Sequence, residues 1–286
     1  MYRTQILLLF ALLPLSGVSA QSSVWQVSDG THTVYLGGTC HMLRAGDFPL
    51  PAEFDTAYAA ANSLVFEVDP AEMNDPKFAM RLMHEGSYTD GRTLQSVLSA
   101  EAYTALADQC SQSGMPIEML QKFKPSIAVL MLTLHELAKV GVTQAGVDMY
   151  YAKQADTDKK SVAALETADF QLDLITRLGE GSESELVLHG LQDLDQLNTL
   201  FDVMITAWRK GDLETINRLF VEDMAQYQEI YDLMLKDRNA RWLPQIEAML
   251  QSQPVEFVLV GVAHIPGKDG LIALLEAKGY AVTQVE

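Results

Sequence analysis

Two segments near opposite ends of the chain share one pattern: an apolar run of strand character that ends in glycine, two further residues and a histidine. Towards the C-terminus, Val255-Glu256-Phe257-Val258-Leu259-Val260 leads into Gly261-Val262-Ala263-His264. Towards the N-terminus, Thr33-Val34-Tyr35-Leu36-Gly37 leads into Gly38-Thr39-Cys40-His41. Unbroken β-branched and aromatic runs mark strands buried on both faces, the kind found in sheets with helices on either side. A glycine just ahead of each histidine fits a backbone that turns sharply or comes close to a bound group. In open α/β sheets, ligands collect outside the carboxyl ends of adjacent strands. Both imidazoles are therefore expected at one rim if these two strands are neighbours.

Residues 1–20 read as an export signal and are set aside from the fold. Arg3 supplies the positive start, Ile6 to Leu15 an apolar stretch too short to span a bilayer, and Val18-Ser19-Ala20 a small-residue cleavage site ahead of Gln21. No lipid-attachment cysteine follows the apolar stretch, so the expected product is periplasmic or secreted, without stable membrane insertion after cleavage. The remainder, 21–286, is long enough for one large α/β domain or two small ones. A formal net charge of −18, with no basic cluster to offset it, argues against nucleic acid and anionic lipid as partners. Cys40 and Cys110 are the two cysteines, and they read either as a disulfide or as two buried thiols. Cys40 is poorly placed to join His41 as a metal ligand, because consecutive strand residues point to opposite faces.

In chain order, Val24 to Leu36 reads as a hairpin turning at Ser28-Asp29-Gly30-Thr31, and Ala52 to Asn62 as a short amphipathic helix. The next strand, Ser63 to Pro70, buries Val65, Phe66 and Val68, yet Glu67 lies inside it and Asp69 closes it. A carboxylate in a buried strand is costly unless it is paired, hydrogen-bonded or bound to a cation, which makes Glu67 a candidate site residue. The alternative is an edge strand with Glu67 on a solvated face. From 71 to 140 the pattern is helical, with helices expected at Lys77–Glu85, Leu94–Leu98, Ala100–Gln112, Pro116–Lys122 and Ile127–Leu137. His135-Glu136 starts like H-E-x-x-H, but Lys139 stands where the second histidine belongs, so that metal motif fails.

Thr143 to Tyr151 opens another helix, and Lys160 to Thr167 is a short strand ending in a second acid, Glu166. Glu166 either points into the same cleft as Glu67 or caps the helix that begins near Ala168. Residues 168–250 are again helical, with a connector of disordered appearance at Gly179–Ser184. On composition alone, Arg238 reads as one more solvated charge. A helix at Gly270–Lys278 and a strand at Gly279–Val285 complete a strand-helix-strand unit. The fold class expected is α/β, with α+β as the alternative. It is organised on a central, mixed, partly parallel sheet with strands from both ends of the chain and large helical segments between.

At several separated motifs the chain resembles the TraB/GumN family, which is related to the Tiki proteases and grouped with the erythromycin-esterase and ChaN-like folds. The motifs are Tyr35-Leu36-Gly37-Gly38-Thr39-Cys40-His41 with Pro49-Leu50-Pro51, Phe66-Glu67, and Gly146-Val147-Asp148 with Leu165-Glu166-Thr167. Trp208 with Gly211-Asp212, Arg238-Asn239, and Gly261-Val262-Ala263-His264 with Gly267 continue the series. The resemblance covers 21–286 as one domain with helical insertions at about 71–140 and 168–250. It implies a metal-dependent peptidase site in which His41, His264, Glu67, Arg238 and Asn239 take part. The extra glycine and the cysteine of Gly-Gly-Thr-Cys-His depart from the family's Leu-Gly-Thr-Ile-His form and leave the histidine in place.

The residue chemistry agrees with that implication. His41, His264 and Glu67 make a common ligand set for a divalent transition metal with open positions, with manganese, cobalt and zinc as the candidate ions. Glu166 or Asp148 is suited to orient a histidine or act as general base, and Arg238 and Asn239 to stabilise developing negative charge. The activity expected is hydrolysis of an amide bond in an exported peptide or protein. Two alternatives stand beside it. One is a non-catalytic envelope protein that binds a ligand or haem, with Tyr35 or Tyr150 near the site. The other is an accessory role in polysaccharide production.

Overall fold

The computed structural model describes residues 22–194 and 196–286, so the export signal expected at 1–20 lies outside the described residues. Its strands are β1 (Val24–Ser28), β2 (Thr33–Thr39), β3 (Leu43–Arg44), β4 (Ser63–Phe66), β5 (Val142–Thr143), β6 (Ser161–Ala164), β7 (Glu256–Gly261) and β8 (Ala281–Gln284). Six of them form one sheet in the order β6-β4-β7-β2-β1-β8, and β3 pairs with β5 separately. β6, β4, β7 and β2 run parallel. β1 is antiparallel to β2 through the expected hairpin, and β8 is antiparallel to β1 at the far edge. The α/β fold with strands from both ends of the chain is thus what the molecule adopts.

β7 lies at the centre of the parallel part, and its alternation explains the unbroken apolar run. Phe257 and Leu259 face a core with Phe54, Tyr151 and Trp208, carried by helices Ala52–Ala60, Val147–Asp158 and Leu197–Lys210. Val258 and Val260 face the other way, against Trp242, Ile246 and Leu275 of helices Asp237–Met249 and Leu271–Ala277. Each such side chain stabilises the fold by roughly 1.5–3 kcal/mol on burial, so neither face tolerates a polar replacement. The extra glycine ahead of the first histidine also has a packing reason. A Cβ at Gly37 would stand 2.7 Å from the ring of Phe257.

Trp208 fastens the end of β2: its indole donates to Gly38 O at 2.7 Å, and Ser23 Oγ donates to Trp208 O at 2.7 Å. Its helix ends at Gly211, whose φ of 60° is left-handed, and Asp212 caps the next turn by accepting from Thr215 N. A separate core of Leu106, Leu132 and Val187 joins helices Ala100–Ser113, Pro125–Lys139 and Glu183–Leu194.

Several local expectations change. β4 stops at Phe66, and Asp69 leaves the sheet to cap the helix Pro70–Met73 by accepting from Ala71 N. The helix expected at Pro116–Lys122 shrinks to a 3-10 turn at Ile117–Met119, because the Gln121 and Lys122 carbonyls accept from Leu94 N and Tyr88 N instead. The connector at Gly179–Ser184 is an ordered turn leading into the helix that starts at Glu183. Cys40 and Cys110 are both free and buried in different cores, so the thiol reading holds and the disulfide does not. His135 is satisfied by Ser113 O at 3.1 Å.

Candidate functional site

The four parallel strands deliver their next residues to one rim. β2 and β7 are paired up to Thr39 opposite Gly261, so His41 and His264 leave adjacent strand ends. β4 borders β7 on its other side, and Glu67 follows directly from Phe66. The edge-strand alternative for Glu67 therefore fails; its side chain is 9% exposed. β6 pairs with β4 through Ala164 and brings Glu166 to the same place.

Glu67 is the meeting point. Its Oε1 lies 3.9 Å from Nε2 of His41 and 3.9 Å from Nε2 of His264, and it accepts a short hydrogen bond from Gly261 N. Its Oε2 accepts from Nη2 of Arg238. Burial works against the charge on Glu67, but the Arg238 guanidinium, His264, His41 and the Gly261 amide outweigh it and hold the carboxyl down at about 2. Gly261 leaves room in the middle: a Cβ there would stand 3.1 Å from Glu67 Oε1 and 3.3 Å from His41 Nε2.

Each histidine is held from behind by a different residue. His41 Nδ1 is 2.8 Å from Asp148 Oδ2, and Thr39 Oγ1 donates to Asp148 Oδ1 at 3.1 Å. The Asp148 carboxylate raises the His41 pKa to about 9, and water at the ring, which is 60% exposed, weakens that pull without reversing it. His264 Nδ1 is 2.7 Å from Asn239 Oδ1, while both Asn239 amide hydrogens go to main-chain carbonyls, of His264 at 3.2 Å and of Asp269 at 2.8 Å. The amide oxygen must then face the ring, so Nδ1 carries the proton and Nε2 the lone pair. Burial pushes His264 down to about 3, so the ring is neutral.

Arg238 and Glu166 complete the group. The Glu166 carboxylate receives Nε of Arg238 at 3.1 and 3.2 Å and Nη2 at 2.9 Å. The helix cap is Thr167, which accepts from Phe170 N, so Glu166 belongs to the cleft and not to the cap. Arg238 is 3% exposed, which overturns the solvated-charge reading. Asn239 departs from the expected role: with both amide hydrogens spent on carbonyls it has none for developing charge, and it positions His264 instead. Tyr35 packs against the core, and the Tyr150 hydroxyl accepts from Gln154.

Two contributors, Trp242 and Arg241, escaped the sequence reading, and a third, Gly146, entered it only as part of a motif. Gly146 brings its helix against β2 so closely that a Cβ would fall 2.2 Å from the His41 carbonyl, and this approach is what lets Asp148 reach the imidazole. Trp242 packs against His264 with ring centroids 4.4 Å apart and planes tilted by 45°, and carries the Arg238 guanidinium at 4.7 Å. Arg241, half exposed, lies 3.7 Å from Glu166. Trp242 sits four residues after Arg238 on one helix face, and that spacing was the available signal.

The family model described as TraB/PrgY/gumN matches residues 23–284. The chain belongs to that family. Among its relatives is "Metalloprotease TIKI2" of Xenopus tropicalis, 25% identical over 94% of this chain and 61% of that protein's length. "Uncharacterized protein YbaP" of Escherichia coli K12 is 23% identical over 86% of this chain and 89% of its own. No solved structure matches the chain. "Uncharacterized protein YbaP" of Shigella flexneri shows the same 23% identity.

A metalloprotease among the relatives of a TraB/PrgY/gumN chain raises the question of whether this rim suits a metal ion. Among the described residues, no three His, Cys, Asp or Glu side chains form a closed ligand cluster. The donor chemistry nevertheless fits: two imidazole nitrogens and one carboxylate oxygen surround the space that Gly261 leaves open.

Proposed function

We propose that this chain is a metal-dependent hydrolase of peptide bonds that acts outside the cytoplasm, in the periplasm or as a secreted protein. The observation that carries the reading is the common distance of 3.9 Å from Glu67 Oε1 to Nε2 of both His41 and His264. The metalloprotease among its relatives supports it.

In this reading His41, His264 and Glu67 hold one divalent ion, of manganese, cobalt or zinc. Such an ion polarises a carbonyl and lowers the pKa of water towards neutrality. The protein's own part is to aim the ligands and manage charge. Asp148 fixes the His41 ring, and Asn239 fixes the tautomer of His264 so that its Nε2 faces the site. Glu166 steadies Arg238, whose guanidinium touches both Glu67 and His264. The exposed His41 ring marks the side from which an extended peptide reaches the rim.

The test is cleavage of a mixed peptide library by the purified protein, with each ion added and with a chelator. Cleavage that stops on chelation and returns with one of the ions supports the reading. Equal cleavage under both conditions, or none under any, contradicts it.

A further inference from the structure

Arg238 has no hydrogen left to give. Besides its bonds to both acids, Nη1 donates to Met234 O at 3.2 Å and to His264 Nε2 at 3.0 Å, so all five N–H groups of the guanidinium are engaged. The contact with His264 has a specific consequence. Asn239 holds the proton on Nδ1, which leaves Nε2 as the ring's single lone pair, and Arg238 covers it. The same guanidinium also occupies Glu67 Oε2. One of the three donor atoms suited to a cation, His264 Nε2, is thus already covered by a positive group, which also shares the Glu67 carboxylate through its other oxygen.

We infer that Arg238 is a gate on the cation site: a divalent ion enters as the guanidinium withdraws from His264 and Glu67 onto Glu166. This rests on the metal-site reading above. Glu166 is the seat for the displaced cation, because it already accepts from Nε and Nη2 and its side chain is 5% exposed. Arg241, 49% exposed, shares that carboxylate at 3.7 Å and is free to turn to water as Arg238 closes in. Trp242 lies beneath the Arg238 guanidinium and against His264, and an aromatic face attracts a cation without fixing where along the face it sits. Charge also allows the exchange inside the protein. Glu67, Glu166 and Asp148 bring three carboxylates, enough to balance a divalent ion together with a guanidinium that stays buried. On this account Glu166 is a positioning residue and not the general base.

Two measurements on the full chain test the gate. The first is stopped-flow tryptophan emission on mixing wild-type protein with zinc or manganese, with Trp242→Phe to identify the reporter. Gate opening ahead of binding makes the uptake rate level off as metal concentration rises, whereas a rate that keeps rising linearly overturns the gate. The second is equilibrium metal affinity. Arg238→Gln binds at least tenfold tighter than wild type, and Glu166→Gln at least tenfold weaker, because the guanidinium has lost its second seat. If wild type and Arg238→Gln bind equally, the gate is wrong while the metal site stands. If neither binds, the metal site itself is wrong and the gate falls with it. The wild-type kinetics decide even where a variant fails to fold.

Discussion

Thr39 of β2 and Gly261 of β7 are register partners at the last rung of a parallel ladder. That one pairing brings the two ends of the chain to a common rim, since the histidines follow within two and three residues of it. It also offsets the two G-x-x-H motifs by one position: Gly38 pairs with Val260 and Gly261 with Thr39. The glycines accordingly do different jobs. A Cβ on Gly38 would meet Val262 at 2.8 Å, a packing contact, while one on Gly261 would enter the space between Glu67 and His41.

Gly261→Ala separates binding from folding. The backbone there has φ −51° and ψ 133°, which alanine adopts freely, so the change in unfolding free energy stays below about 1 kcal/mol. The added methyl group stands within 3.1–3.3 Å of two donor atoms, and metal affinity falls at least tenfold. Urea midpoints and a metal titration on the same preparation check both halves; an affinity equal to wild type contradicts the placement of the ion.

Asn239→Leu removes the partner of the His264 Nδ1 proton and leaves the carbonyls of His264 and Asp269 without their donor. Unpaired buried polar groups cost about 1–3 kcal/mol each, so the variant loses at least about 3 kcal/mol of stability. Without this partner the imidazole is held only by the Arg238 contact at Nε2, its Nδ1 proton is left unpaired, and metal affinity drops as well. Chemical denaturation and a metal titration read the two effects. Wild-type metal affinity in the folded variant sets aside the positioning role of Asn239.

The pH dependence of stability follows from the same group when measured in chelator. His264 sits at about 3 in the fold, against about 6.5 in an unfolded chain. Between those values the unfolded chain binds a proton that the native ring refuses, so stability is complete above about 6.5 and declines as pH falls, by at most about 1.4 kcal/mol per pH unit. Glu67, held at about 2, adds a second loss below about 4.5. His41 has the opposite sign: its contribution is present below about 6.5 and fades as pH rises through about 9. Urea midpoints between pH 5 and 7 therefore slope downward on acidification in wild type and flatten in His264→Gln. The same slope in both proteins contradicts the buried, neutral ring.

The strands of this site were legible in the sequence because burial on both faces writes an unbroken apolar run, and β7 is such a run. Glu67 was legible for the same reason, as an acid interrupting one. Their convergence was not, since the register of β2 on β7 is set by packing between segments far apart in the chain. Glu166 stayed ambiguous because a strand end and a helix start coincide there; Thr167 took the cap and freed the acid. Arg238 read as solvated because composition cannot say which helix face meets a sheet rim. The π-helical turns at Asn217–Glu222 and Asp232–Lys236, the second just ahead of Arg238, carry no pattern that a periodicity search detects.

The central claim is that imidazoles from the two ends of the chain share one ion with Glu67. Its most direct test is metal stoichiometry after dialysis, for wild type, His41→Ala and His264→Ala, with circular dichroism to establish that each variant is folded. The account predicts about one ion per wild-type chain and loss of that ion from both folded variants. Full metal content in either folded variant, or none in wild type, contradicts it.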